Sequence, residues 1–123
     1  MATELRASVA SSGETLVRVS GTGVGGRNQH AGLTITTHLG ARDGEVSAAA
    51  GGLMVGTDGR DGRTDAAGAL VDDQTTGRIR GVGLEPAPLL ANHDSYRALA
   101  VSGDLIRCGP TCTNVGDPWL LWS

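Results

Sequence analysis

The chain has no phenylalanine and no lysine. Its 123 residues include only Tyr96, Trp119 and Trp122 as aromatics, and two cysteines. Without large aromatics, a core at this single-domain length must be packed from Ala, Val, Leu and Gly, so thin, closely approached layers are expected. Without lysine there is no Walker-type phosphate lysine, no Schiff-base lysine and no lysine general base; anion chemistry must use arginine, backbone N–H groups or a metal. A formal charge of −3 leaves no electrostatic footprint for nucleic acid or an anionic membrane. Cys108 and Cys112, in CGPTC, have no second Cys/His pair at metal-ligand spacing and read as reduced thiols of an intracellular protein. No apolar run approaches 18 residues and no charged-then-apolar leader opens the chain, so a soluble, cytoplasmic protein is expected.

What is abundant is glycine, 20 residues, concentrated in polar loops. Residues 1–12 read as a leader strand or loose end, and 13–123 as one domain. ETLVRVSG alternates like a strand and runs into GTGVGGRNQ. Asn28 is a candidate cap for a helix over NQHAGLTITTHLGAR, whose Thr-Ile-Thr-Thr run lowers helix propensity. DGEVS reads as a turn. AAAGGLMVG reads as a buried central strand feeding a second loop, TDGRDGRTD. AAGALVDD is a strand or a helix turn, QTTGRIRGVG a helix ended by Gly81 or Gly83, and LEPAPLLANHDSYRALAVSG one or two short helices capped at Asn92 or Asp94. DLIRC is a strand, GPTCTNVGD a third polar loop and PWLLW a final strand. The alternation predicts an α/β domain: a mixed sheet flanked by short helices, with the glycine-rich loops gathered at one sheet edge.

Three readings compete for the loops. Gly21, Gly23 and Gly26 fit G-x-G-x-x-G, but the acidic residues about 20 positions on, Asp43 and Glu45, sit in a turn before the next strand, which disfavours a dinucleotide site. Asp58, Asp61 and Asp65 could hold hydrated Mg²⁺, accept a proton or cap the following helix; equally, they could satisfy local N–H groups in tight turns. Arg60 and Gly62 break the EF-hand pattern. Arg27 supplies a planar fork suited to carboxylate or phosphate. His30, His38 and His93 share no pair spacing on one face and read as surface or helix residues.

Taken together and in order, GTGVGGRNQ, GTDGRDGRTDAAGALVD, NHDSY and GPTCTNVGD resemble the MOFRL domain, the C-terminal domain of class II glycerate kinases, some of them formerly described as hydroxypyruvate reductases. The resemblance runs from about Gly13 to the C-terminus, and its GTDGxDGxTDAAGA block is long and specific. It implies phosphorylation of glycerate at the 2-hydroxyl with ATP and Mg²⁺, in a cleft shared with a larger N-terminal domain that supplies a lysine and an aspartate. It implies catalytic roles for Arg27 and Asp58. Around them it implies a substrate-binding set of Gly26, Asn28, Gln29, Thr57, Asp61, Thr64, Asp65, Asp94, Ser95, Thr111, Thr113 and Asn114, with no metal ligand set. The chain departs from the family pattern at several points. His30 and Ala31 stand where Glu and Phe are usual, Arg63 where proline is usual, His93 interrupts an Asn-Asn-Asp pattern, and Cys112 and Gly116 alter the third loop. Lacking any lysine, the chain is not expected to be a kinase by itself. The alternative is a stand-alone module that binds a small anion or forms homo-oligomers, with PWLLWS, if not core, as its contact.

Overall fold

The computed structural model describes residues 8–11, 22–40 and 50–122, the first of these by backbone alone; the strand expected over ETLVRVSG and the turn at DGEVS lie outside the described residues. Five strands form one sheet: β1 (Ser8–Ser11), β2 (Gly51–Val55), β3 (Gly68–Asp72), β4 (Leu105–Ile106) and β5 (Trp119–Trp122). Their order is β1-β5-β2-β3-β4. The fold is α/β, but all four pairings are antiparallel, which corrects the mixed sheet expected from the sequence. The physical reason is the connection between β2 and β3. A parallel pair needs a crossover, usually helical, whereas here residues 56–67 fold back as a long hairpin loop. AAGALVDD thus resolves as a strand.

Four helices, α1 (Arg27–Gly40), α2 (Thr75–Gly81), α3 (Pro86–Ala91) and α4 (Ser95–Ser102), pack together, and α1 lies on β2 and β3. Strand alternation dictates which side chains they cover. Met54, Ala69 and Val71 are fully buried with Leu99, against Ala31, Ile35, Trp119 and Leu121. The intervening positions, Leu53, Leu70 and Leu120, stand in cross-strand register on the other face, where Leu70 is 49% and Leu120 40% exposed. A second cluster, Leu33, Ile79, Leu89 and Ala98, joins the helices to one another. The expected close approach of layers is visible at Gly32 of α1, where a Cβ would stand 3.0 Å from the Cβ of Ala69 and 3.2 Å from Met54 Cε. The threonines of TITT are accommodated because Thr34, Thr36 and Thr37 donate their hydroxyls to carbonyls one turn back, on His30, Gly32 and Thr34.

This topology brings the loops together. β2 and β4 are each antiparallel to β3, so they run in the same direction and end at the same side of the sheet. β5 is antiparallel to β2 and starts there. The third loop, from β4 to β5, therefore lies over the second, and the head of α1 meets both.

Candidate functional site

The head of α1 is held by a residue distant in sequence. Asn28 lies inside the first turn rather than capping it, and the cap comes from the second loop. Asp61 accepts the backbone N–H groups of Asn28 at 2.9 Å and Gln29 at 2.7 Å, and the Asn28 side-chain amide at 3.2 Å. This satisfies donors that a helix N-terminus leaves orphaned. Burial lifts the Asp61 carboxyl above its ordinary range, against the opposing pull of the Asn28 and Gln29 donors. Gln29 donates from Nε2 to Thr64 Oγ1 at 2.8 Å, and Asn28 Oδ1 accepts the Trp119 indole N–H at 2.8 Å. Asn28, Gln29 and Asp61 are almost wholly buried, so these three hold the loops to one another.

Glycine makes the contact possible. A Cβ on Gly26 would fall 2.3 Å from Asp61 Cγ, and one on Gly62, which has φ +64°, would lie 2.9 Å from Gly26 Cα. The start of the first loop docks on NHDSY in the same way. Gly23 N–H donates to Asn92 O at 3.0 Å, Val24 N–H to Asp94 Oδ1 at 3.1 Å and Tyr96 N–H to Val24 O at 2.9 Å. Cβ atoms on Gly23 or Gly25 would collide with Asn92 O or Ser95 Oγ. Asp94 occupies the cap position of α4, but its carboxylate takes the Val24 N–H and not one of its own helix. Ser95 is buried, its Oγ without a hydrogen-bond partner among the described residues.

Arg27 differs from its neighbours in reaching the surface. Its Nε is ion-paired to Asp117 of the third loop; the Asp117 side chain is 4% exposed, that of Arg27 31%. Asp117 lies 90 residues from Arg27 along the chain, so no local pattern in the sequence singles it out. Thr57 ties the second loop to the third: its hydroxyl donates to Gly116 O at 2.8 Å and accepts Val115 N–H at 2.9 Å. Thr111 donates to Thr57 O and its N–H to Asp58 O at 3.2 Å. Asp58 itself accepts the Arg60 N–H at 3.0 Å, a turn within its own loop. Thr113 and Asn114 are exposed on the third loop, Asn114 Oδ1 accepting the Gly116 N–H.

Asp65 neither caps a helix, since β3 follows it, nor joins the other aspartates. It accepts the Tyr96 hydroxyl at 2.7 Å and Arg107 Nε at 3.2 Å, and chiefly the Tyr96 hydrogen bond holds its carboxyl below the ordinary range. The three aspartates of the second loop are thus directed to three separate partners. Among the described residues no group of three His, Cys, Asp or Glu side chains converges as a metal site, so a Mg²⁺ cage built from Asp58, Asp61 and Asp65 does not fit. Cys108 and Cys112 are exposed thiols. His30 and His93, read separately in the sequence, stack with ring centroids 4.5 Å apart and planes at 13°. The two Trp residues of PWLLW are used internally: Trp119 packs on the sheet core, and Trp122 crosses over Gly51, whose Cβ would lie 2.5 Å from its ring. No described helix is long and apolar enough to cross a membrane.

A D-glycerate 2-kinase from Thermotoga maritima is 47% identical over 105 residues, covering 85% of this chain and 24% of the relative. A glycerate 2-kinase from Pyrococcus horikoshii is 40% identical over 106 residues, covering 85% and 23%. A crystal structure of glycerate kinase from Thermotoga maritima superposes with a TM-score of 0.85 at 42% identity, covering 94% of this chain and 27% of that one. The chain spans about a quarter of the length of these relatives. The model of the MOFRL family matches residues 7–117, and the chain belongs to that family.

Proposed function

We propose that this chain is the small domain of a glycerate kinase system and contributes Arg27 to a site shared with a larger N-terminal domain. One observation carries the reading: Asp117 fixes Arg27 at the head of α1, partly exposed, at the end of the sheet where the polar loops meet. A guanidinium has five N–H donors in a rigid fork, matched to carboxylate and phosphate oxygens. Held in place, it orients the carboxylate of glycerate or stabilises charge developing on the transferring phosphoryl group, without reorganising during the reaction. Asp58, half-buried in the second loop, and the exposed Thr113 and Asn114 of the third form the rim. Asn28, Gln29, Asp61 and Thr64 act indirectly, by fixing the direction of Arg27. Mg²⁺ belongs with the larger domain in this reading, because Asp58, Asp61 and Asp65 of the second loop are directed to separate partners.

The test is reconstitution. Mixed with the N-terminal domain of a homologous glycerate kinase, the chain is expected to restore ATP-dependent formation of 2-phosphoglycerate that neither part gives alone. Arg27→Ala should lower kcat in the mixture by about 100-fold or more, the scale of losing one transition-state donor, with the circular dichroism spectrum retained and the melting temperature lowered, because the buried Asp117 carboxylate loses its partner. A silent mixture overturns the proposal.

A second reading, a module acting without the larger domain through self-association, draws on the apolar line Leu53, Leu70 and Leu120 on the outer sheet face. A monomeric sedimentation profile at high concentration would count against it.

A further inference from the structure

We infer that the cleft between the second and third loops is an oxyanion site for a pyrophosphate group. The cleft has a volume of about 470 Å³, and its lining includes Gly59, Arg60, Gly62, Arg63, Asp65 and Gly109. That size is in the range of small-ligand sites. The charge accounting gives the sign of the ligand. Asp58 is turned into its own loop by the Arg60 N–H, and Asp61 is buried against α1. Asp65, the one acidic wall residue, is matched by Arg107 and hydrogen-bonded by Tyr96. Arg60 and Arg63 are exposed and form no ion pair among the described residues. A loop that reads as acidic thus presents two uncompensated guanidinium groups to one cavity.

The shape gives the class. Two planar forks accommodate two phosphoryl groups, each able to take parallel N–H···O bonds, whereas a single carboxylate occupies only one. Gly109, whose Cβ position has nothing within 4 Å, leaves part of the wall without a side chain, so an anion can approach the backbone closely there. Arg27, held by Asp117 at the head of α1, is not among the residues that line this cleft. The site needs no second domain, so it stands or falls independently of the kinase reading.

Calorimetric titration of the 123-residue chain with inorganic pyrophosphate at low salt tests this. One saturable site is expected, weakening as salt is raised. The double substitution Arg60→Gln with Arg63→Gln should weaken it at least 10-fold with an unchanged circular dichroism spectrum. Arg80→Gln, which removes a guanidinium paired with Glu85 elsewhere on the surface, should leave it intact. A parallel titration with ADP separates the sources: tighter binding than pyrophosphate assigns the group to a nucleotide, equal or weaker binding to an inorganic ligand. No saturable binding, binding unaffected by the double substitution, or D-glycerate binding as tightly as pyrophosphate would each overturn the inference.

Discussion

Asp61 lies in a loop of glycines, arginines and aspartates that reads as solvated, and it is 2% exposed. Its neighbours in sequence give no hint of this, because the groups that need it, the Asn28 and Gln29 N–H donors, belong to another element. Residue type was legible there, and the role was not. The sequence offers Asn28 as a cap within its own helix, the local solution, while the fold uses a cap from 33 residues along the chain. Replacing Asp61 with alanine leaves two buried backbone donors unmet, each costing on the order of 1–3 kcal/mol. Asp61→Ala is therefore expected to lose about 3 kcal/mol of stability in urea unfolding. A loss below 1 kcal/mol would mean that the head of α1 is not held by this carboxylate. Asp117, which fixes Arg27, was hidden for the same reason, since only the tertiary fold brings position 117 to position 27.

At the scale of elements, the glycines separate into two kinds that the sequence does not distinguish. Some occupy contacts where no Cβ fits: Gly26 on Asp61, Gly25 on Ser95 and Gly59, where a Cβ would lie 2.0 Å from Gly109 O. Others, including Gly77 in the middle of α2, have nothing within 4 Å of the Cβ position. Gly26→Ala should destabilise by about 1–3 kcal/mol or more, as overpacking does, and should shift the amide resonances of residues 27–29 and 61. Gly77→Ala should stabilise by about 0.5–1 kcal/mol, the difference in helix propensity. Equal effects of the two, measured by denaturant unfolding, would contradict this division. The strands and helices are otherwise largely legible: hydrophobic runs locate β2, β4 and β5, turn residues bound α2, α3 and α4, and only the type of the β3 stretch, strand or helix turn, is left open. Strand direction was not, because alternation of elements suggests crossovers and only the folded-back loop at residues 56–67 reveals a hairpin.

For the molecule as a whole, the motif blocks identified the family and the gathering of the loops, but not how the two sides of the helix layer meet at the site. His30, on the first turn of α1, and His93, between α3 and α4, both stand where the family pattern has other residues, and they stack on each other. No spacing or periodicity links these positions in the sequence, so only the fold exposes the pair. Burial, and after it the charge of His93, holds the His30 imidazole below its ordinary value of 6.5. The unfolded chain then takes up a proton at His30 at higher pH than the folded chain does, so unfolding is favoured as pH falls. Stability is expected to be fully present above pH ~6.5 and to decline as pH drops from there toward the lowered folded-state value. Asp61, raised instead, contributes with the opposite sign at lower pH, in the carboxylate range. Comparing variants isolates the histidine. Between pH 7.5 and 5.5 the urea midpoint of the wild-type chain should fall more than that of His30→Gln, whose curve should be flatter over this window. Parallel curves for the two proteins would show that His30 takes up its proton equally well in the folded and unfolded chain.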